Sequence, residues 1–118
     1  MYYKIVAKEN FDIILPQMTE LNSNMAVELL ALCEKTIEKK RSVIIDFNNV
    51  ESIKDMQKDT MQNIHTSFYK HNLSFAVCEI KKELKPHFSK KLNITPTLIE
   101  AIDIISMEAL EREILDEE

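Results

Sequence analysis

The sequence predicts an α/β fold: a mixed sheet of four to five strands with an N-terminal hairpin, helices packed on it and a long C-terminal helix. Three observations predict it. Two short, nearly continuous apolar runs, SVIIDF (42–47) and LSFAVCEI (73–80), read as strands buried on both faces. Around them, apolar residues recur at helical spacing. The opening residues alternate with a period of two instead. Strands alternating with helices imply parallel pairing through right-handed crossovers, and the opening hairpin makes the sheet mixed.

Taken in order, YYKIVAKEN alternates as a strand, and FDIILP follows after a tight Glu9-Asn10 connection, with Pro16 closing the second strand. In LNSNMAVELLALCEKTIEKKR, Ala26, Leu29, Leu30, Cys33 and Ile37 make one helical face. Asn22 or Ser23 caps its start, and Lys39, Lys40 and Arg41 suit its negative end. After the SVIIDF strand, MQKDTMQNIHTSFYKHN returns to helical spacing with Met61, Ile64 and Phe68 aligned. LSFAVCEI is the next strand. KKELKPHFSKKLN reads as a short helix with Leu84, Phe88 and Leu92 inward and Pro86 near its first turn. Asn93, Ile94 and Thr95 leave room for one more short strand.

The last helix is announced by Thr97-x-x-Glu100, a capping box after Pro96. Leu98, Ala101, Ile102 and Ile105 form its apolar face. At ~1.5 Å per residue it reaches ~30 Å, long for so small a chain. Leu110, Ile114 and Leu115 therefore either finish the core face or meet another chain, a second copy included.

A chain of 118 residues with 45% hydrophobic residues suits one domain, 1–118, with a substantial core. The net charge of −5 is local: residues 108–118 hold six acids and one arginine. The remainder is balanced, which argues against nucleic-acid binding by overall charge. Lys81, Lys82, Lys85, Lys90 and Lys91 read as a solvated helix face. No apolar run reaches membrane-span length, and the start lacks a signal-peptide pattern, so membrane insertion is not expected and a cytoplasmic location is. Cys33 and Cys78 sit in apolar segments and read as reduced, buried thiols. His65, His71 and His87 lack metal-ligand spacing, so no metal is expected. With zero glycines, neither a phosphate-binding loop nor a dinucleotide fingerprint exists, and no cofactor is called for.

The element order, together with VIIDFNNVESI, SFAVCEIKKELKPHFSKKLNI and ITPTLIEAIDIISMEALE, resembles the STAS domain, the family of bacterial anti-sigma factor antagonists. The likeness covers nearly the whole chain. It implies a STAS-like fold and a signalling role in transcription regulation by protein–protein interaction. It also implies a partner: an anti-sigma factor of the serine-kinase type. The family carries Asp-Ser-Ser/Thr-Gly after the third strand, and its first serine is phosphorylated. Aligned on VESI, Lys54, Asp55, Met56 and Gln57 stand there instead. The phosphoacceptor-equivalent position is thus Asp55, which has no hydroxyl to modify.

This junction has a physical logic. A helix N-terminus offers free N–H groups and partial positive charge, so an anion is stabilised there. A phosphate adds about −1.5 to −2 charges at such a spot. Asp55 supplies a fixed −1, partly offset by Lys54. It either caps the next helix or contacts a partner as well, and Asp59 is a second candidate for the helix start. Ser52 and Thr60 are neighbouring hydroxyls, and an exposed Met56 would suit an adaptable contact. The expected partner-binding set is Ser52, Lys54, Asp55, Met56, Gln57, Asp59 and Thr60. A STAS-like accessory subunit of a transport or membrane-lipid machine is the alternative. Catalysis is not expected: Asp46 has no evident partner, and Asp46, Asp55 and Asp59 would have to converge to hold a hard cation.

Overall fold

The apolar runs bury themselves on two faces of one sheet. The computed structural model describes residues 1–117. The hairpin is formed by β1 (Tyr3–Ala7) and β2 (Phe11–Pro16), closed by the Lys8 N–H donating to the Phe11 carbonyl at 2.8 Å. There follow β3 (Glu20–Asn22), α1 (Ser23–Glu38), β4 (Ser42–Asp46), β5 (Ser52–Lys54) and α2 (Asp59–Lys70). The chain then forms β6 (Phe75–Cys78), a 3₁₀ segment (Lys82–His87), β7 (Ile94–Thr95) and α3 (Leu98–Glu117). The main sheet has five strands in the order β1-β2-β4-β6-β7, and every pair after the hairpin is parallel. The SVIIDF strand is its centre, as its continuous apolarity predicts.

Alternation divides the core. Ile14, Val43, Ile45, Phe75 and Val77 point to the face covered by α1 and α2, where they meet Leu29, Cys33, Met61, Ile64 and Phe68. Ile13, Ile44, Ala76 and Cys78 point to the other, where α3 seats Ala101 and Ile105. Small side chains at positions 76 and 78 let this helix lie close to the sheet.

The two-stranded parallel sheet of β3 and β5 is not expected from the sequence. Three-residue strands are too short to show a period, and pairing alone creates them. The Glu51 and Ser52 N–H groups donate to the Thr19 carbonyl at 2.7 and 3.0 Å and start the ladder.

The expected helix after β6 is a 3₁₀ segment, and Pro86 is its fifth residue rather than part of its first turn. Proline lacks the N–H that an α-helical ladder would require there. The tighter 3₁₀ series needs only Leu84 N–H to Lys81 O at 2.9 Å and Phe88 N–H to Lys85 O at 3.0 Å. Leu84, Phe88 and Leu92 face inward as read.

Asn22 caps α1, its Oδ1 accepting from the Met25 N–H at 3.0 Å. Both α1 and α2 end in the same way. Arg41 N–H reaches Thr36 O and Lys40 N–H reaches Ile37 O; Leu73 and Asn72 repeat the pattern to Phe68 and Tyr69. The residues at the turning point, Lys40 and Asn72, have φ of 59°. Glycine usually takes this Schellman position because a Cβ costs roughly 1–2 kcal/mol in the left-handed region. In this glycine-free chain, Lys40→Gly is expected to stabilise the fold by about 0.5–1 kcal/mol, net of the added unfolded-state entropy. A rise in the urea midpoint at constant slope checks it.

The capping box of α3 forms: Glu100 N–H donates to Thr97 Oγ1 at 3.3 Å, and the Thr97 hydroxyl donates to Glu100 Oε1 at 3.2 Å. Further along, the Tyr69 hydroxyl donates to Glu108 and accepts from Asn93 Nδ2 at 2.6 Å, while the Arg112 guanidinium lies 5.9 Å from the Tyr69 ring centre. Burial, helped by Glu108, raises the Tyr69 phenol above its ordinary pKa. Leu110, Ile114 and Leu115 do not finish the core; they are 58%, 52% and 67% exposed. The projecting helix gives the molecule its long dimension, 45 Å against 26 and 24 Å.

Candidate functional site

The corner where β5 runs into α2 is open. A cleft of about 320 Å³ lies between it and the first turns of α1. One wall is Asp55, Met56, Gln57, Thr60 and Asn63; the other is Ser23, Ala26, Val27 and Leu30. Val27 is 65% exposed.

Each expected residue has a definite place. Ser52 and Lys54 are exposed on β5, whose partner strand is β3. Asp55, Gln57 and Asp59 are exposed, and Thr60 is half-buried. The cleft collects Asp55, Met56, Gln57 and Thr60; Ser52, Lys54 and Asp59 lie outside its lining.

Two expectations are corrected. Asp55 does not cap α2. The helix starts at Asp59 after Lys58, which makes no side-chain cap bond, and Asp55 sits four residues earlier with φ of 60°. Aspartate tolerates this left-handed conformation better than most residues, so its role here is to turn the chain out of β5. Asp59 is the helix start, the second of the two candidates. Met56 is not an exposed contact: it is 6% exposed and belongs to the main core cluster. The turn at Asp55 drives the next side chain inward, where Met56 forms the cleft floor while anchoring the junction.

The α1 wall was missed in the sequence. Its signal was Val27, an apolar, β-branched residue off the buried stripe of Ala26, Leu29 and Cys33. Such a residue on a solvent-facing position is commonplace, so only its apposition to Asp55 gives it meaning.

Lys82, Lys85, Lys90 and Lys91 are exposed as read, and only Lys81 departs from that solvated face. Lys81 Nζ donates to the carbonyls of Asn48 and Val50 at 2.7 and 3.1 Å and clamps the turn that feeds β5. Lys82, Lys85 and Lys90, with Lys58, rim a separate cleft of about 640 Å³ over Pro86, Phe88, Leu92 and Ile94.

Asp46 is buried at the end of β4 and accepts from the Asn48 N–H at 2.9 Å, which makes it a turn-former. Among the described residues, no group of three His, Cys, Asp or Glu is arranged to hold a metal. Cys33 and Cys78 are free and buried. Burial pushes both thiols up to about 12, with Glu34 adding to the first and Asp46 and Glu79 to the second. At neutral pH neither is a nucleophile. Burial lowers the pKa of His65, against the pull of Glu108.

An antiparallel edge hairpin leading into parallel strands, two helices on one face, a third on the other, and an open strand-to-helix corner define a STAS-type fold. Solved structures that it matches include anti-sigma factor antagonists. One, assigned to that class and from Thermotoga maritima, superposes with a TM-score of 0.70 at 22% identity, covering 89% of this chain and 93% of that one. The antagonist SpoIIAA in its unphosphorylated form gives 0.61 at 12% identity, over 89% of this chain and 98% of that chain. The Bacillus cell fate determinant SpoIIAA in its phosphorylated form gives 0.62 at 11%, over 88% and 99%. No family model and no curated protein sequence matches the chain. Among the described residues, no helix is long and apolar enough to cross a membrane.

Proposed function

We propose that this chain is a non-catalytic, cytoplasmic signalling module, one domain over residues 1–118, that docks a protein partner through residues 52–60 and the start of α1. The partner class is an anti-sigma factor of the serine-kinase type. The observation that carries the reading is the open cleft, whose lining brings Asp55 together with the apolar residues Val27 and Leu30. An acid beside a small apolar surface is a self-sufficient recognition patch: burial of the apolar side chains supplies affinity, and the charge supplies orientation. The structural likeness to SpoIIAA, described in phosphorylated and unphosphorylated forms, supports the partner class. Asp55 stands where that family's serine would be phosphorylated, so docking here proceeds with a fixed charge and without modification at that position. The projecting face of α3 is read as a self-association surface distinct from this cleft.

The test is capture from native extract on the tagged full chain, compared with Asp55→Lys and Val27→Asp. Each variant is expected to lose a kinase-type anti-sigma partner by about tenfold or more, the effect of truncating one buried contact at an interface centre. An identical bound set from all three chains would overturn the reading.

A further inference from the structure

We propose that the outward face of α3 docks into the lysine-rimmed cleft of a second copy of this chain, and that the contact is made twice about a two-fold axis. The proposal rests on the self-association reading of α3 and goes beyond it by naming the surface that receives the helix.

Three observations carry it. The cleft over Pro86, Phe88, Leu92 and Ile94 has a volume of about 640 Å³ and is rimmed by Lys58, Lys82, Lys85 and Lys90. Among the described residues, none of these lysines is in an ion pair. The opposing surface has the inverse character. At about 100° per residue, Met107, Leu110 and Ile114 fall on one side of α3, opposite Ala101 and Ile105, with Asp103 and Glu111 beside them. All five are exposed. The helix cannot roll to hide this ridge, because Glu108 and Arg112 hold its other side against Tyr69.

Charge points to the chain itself as the occupant. Residues 108–117 carry five acids and one arginine, and they lie on the element that displays the ridge. An apolar ridge edged by acids matches an apolar cleft rimmed by lysines in both polarity and sign. One such ridge is small beside the roughly 1,200 Å² or more that stable interfaces bury. A two-fold arrangement makes the contact twice and doubles the area, whereas a single head-to-tail contact would propagate into an open chain.

Sedimentation equilibrium on the full chain tests this, with circular dichroism confirming that each variant folds. The wild-type chain is expected to dimerise, and high salt to weaken the dimer. Lys82→Glu with Lys85→Glu should raise the dimer dissociation constant by about tenfold or more, as should Asp103→Lys with Glu111→Lys. Combining all four substitutions should return it to near the wild-type value. Dissociation without rescue in the combined variant overturns the pairing. A dimer unchanged by the cleft substitutions but dissolved by Leu110→Ser with Ile114→Ser overturns the cleft as the seat and leaves self-association through α3 standing. A chain monomeric at all concentrations overturns both.

Discussion

Phe47→Ala is expected to destabilise the chain by about 3–5 kcal/mol, the range for removing a buried phenylalanine. Phe47 is fully buried just past the end of β4 and meets Phe88 edge to face, ring centres 5.3 Å apart at 68°. Its backbone is tied on both sides: its N–H donates to Cys78 O at 3.0 Å, and its carbonyl accepts from Val50 N–H at 2.9 Å. The surrounding chain therefore cannot collapse into the vacated space. Since domains of this size are stable by about 5–15 kcal/mol, the loss is a large share of the total. The same void lies in the cluster that includes Met56, the cleft floor, so partner capture should weaken before global unfolding. Urea denaturation measures the first effect. A loss below about 1.5 kcal/mol, the cost of a volume-conserving swap, would mean that the corner repacks freely.

Arg41→Ala is expected to cost about 2–3 kcal/mol, the worth of a charge-assisted network when partly exposed. The guanidinium donates through Nε to Asp12 Oδ1 at 3.0 Å and to the carbonyls of Lys8, Glu9 and Phe11 at 2.5, 3.2 and 2.9 Å. It thus pins the β1–β2 turn to the end of α1. With 25% of the arginine side chain exposed, water replaces part of what is lost. Arg41→Lys should recover less than half, because a point charge cannot span several acceptors as the planar fork does. Thermal melts of the three chains check the order. A lysine variant as stable as the wild type would show that charge alone matters.

Arg41 also marks a boundary of what the residues reveal in one dimension. In the chain it is the third of three basic residues closing a helix, and nothing local separates it from the other two. Its acceptors lie about thirty residues away, and only the hairpin's position against β4 brings them within reach. Lys81 is the same case: in the chain one of a run of lysines, in space a clamp on residues 48 and 50. The strand-to-helix junction was legible because a buried strand, a turn and a helical period adjoin in sequence. Asp55 as a turning residue was not, since no local pattern distinguishes a left-handed aspartate from a capping one. Met56 was misread for a related reason: the direction of its side chain depends on that turn.

The amino-acid order by itself determined the central strands, the three long helices, the caps of the first and last of them and the two faces of the sheet, because periodicity and capping act over a few residues. Tertiary structure alone decided the β3–β5 pairing, the cleft shared by Val27 and Asp55, and the setting of the lysine rim, because each joins groups distant in sequence whose approach is set by how the elements pack.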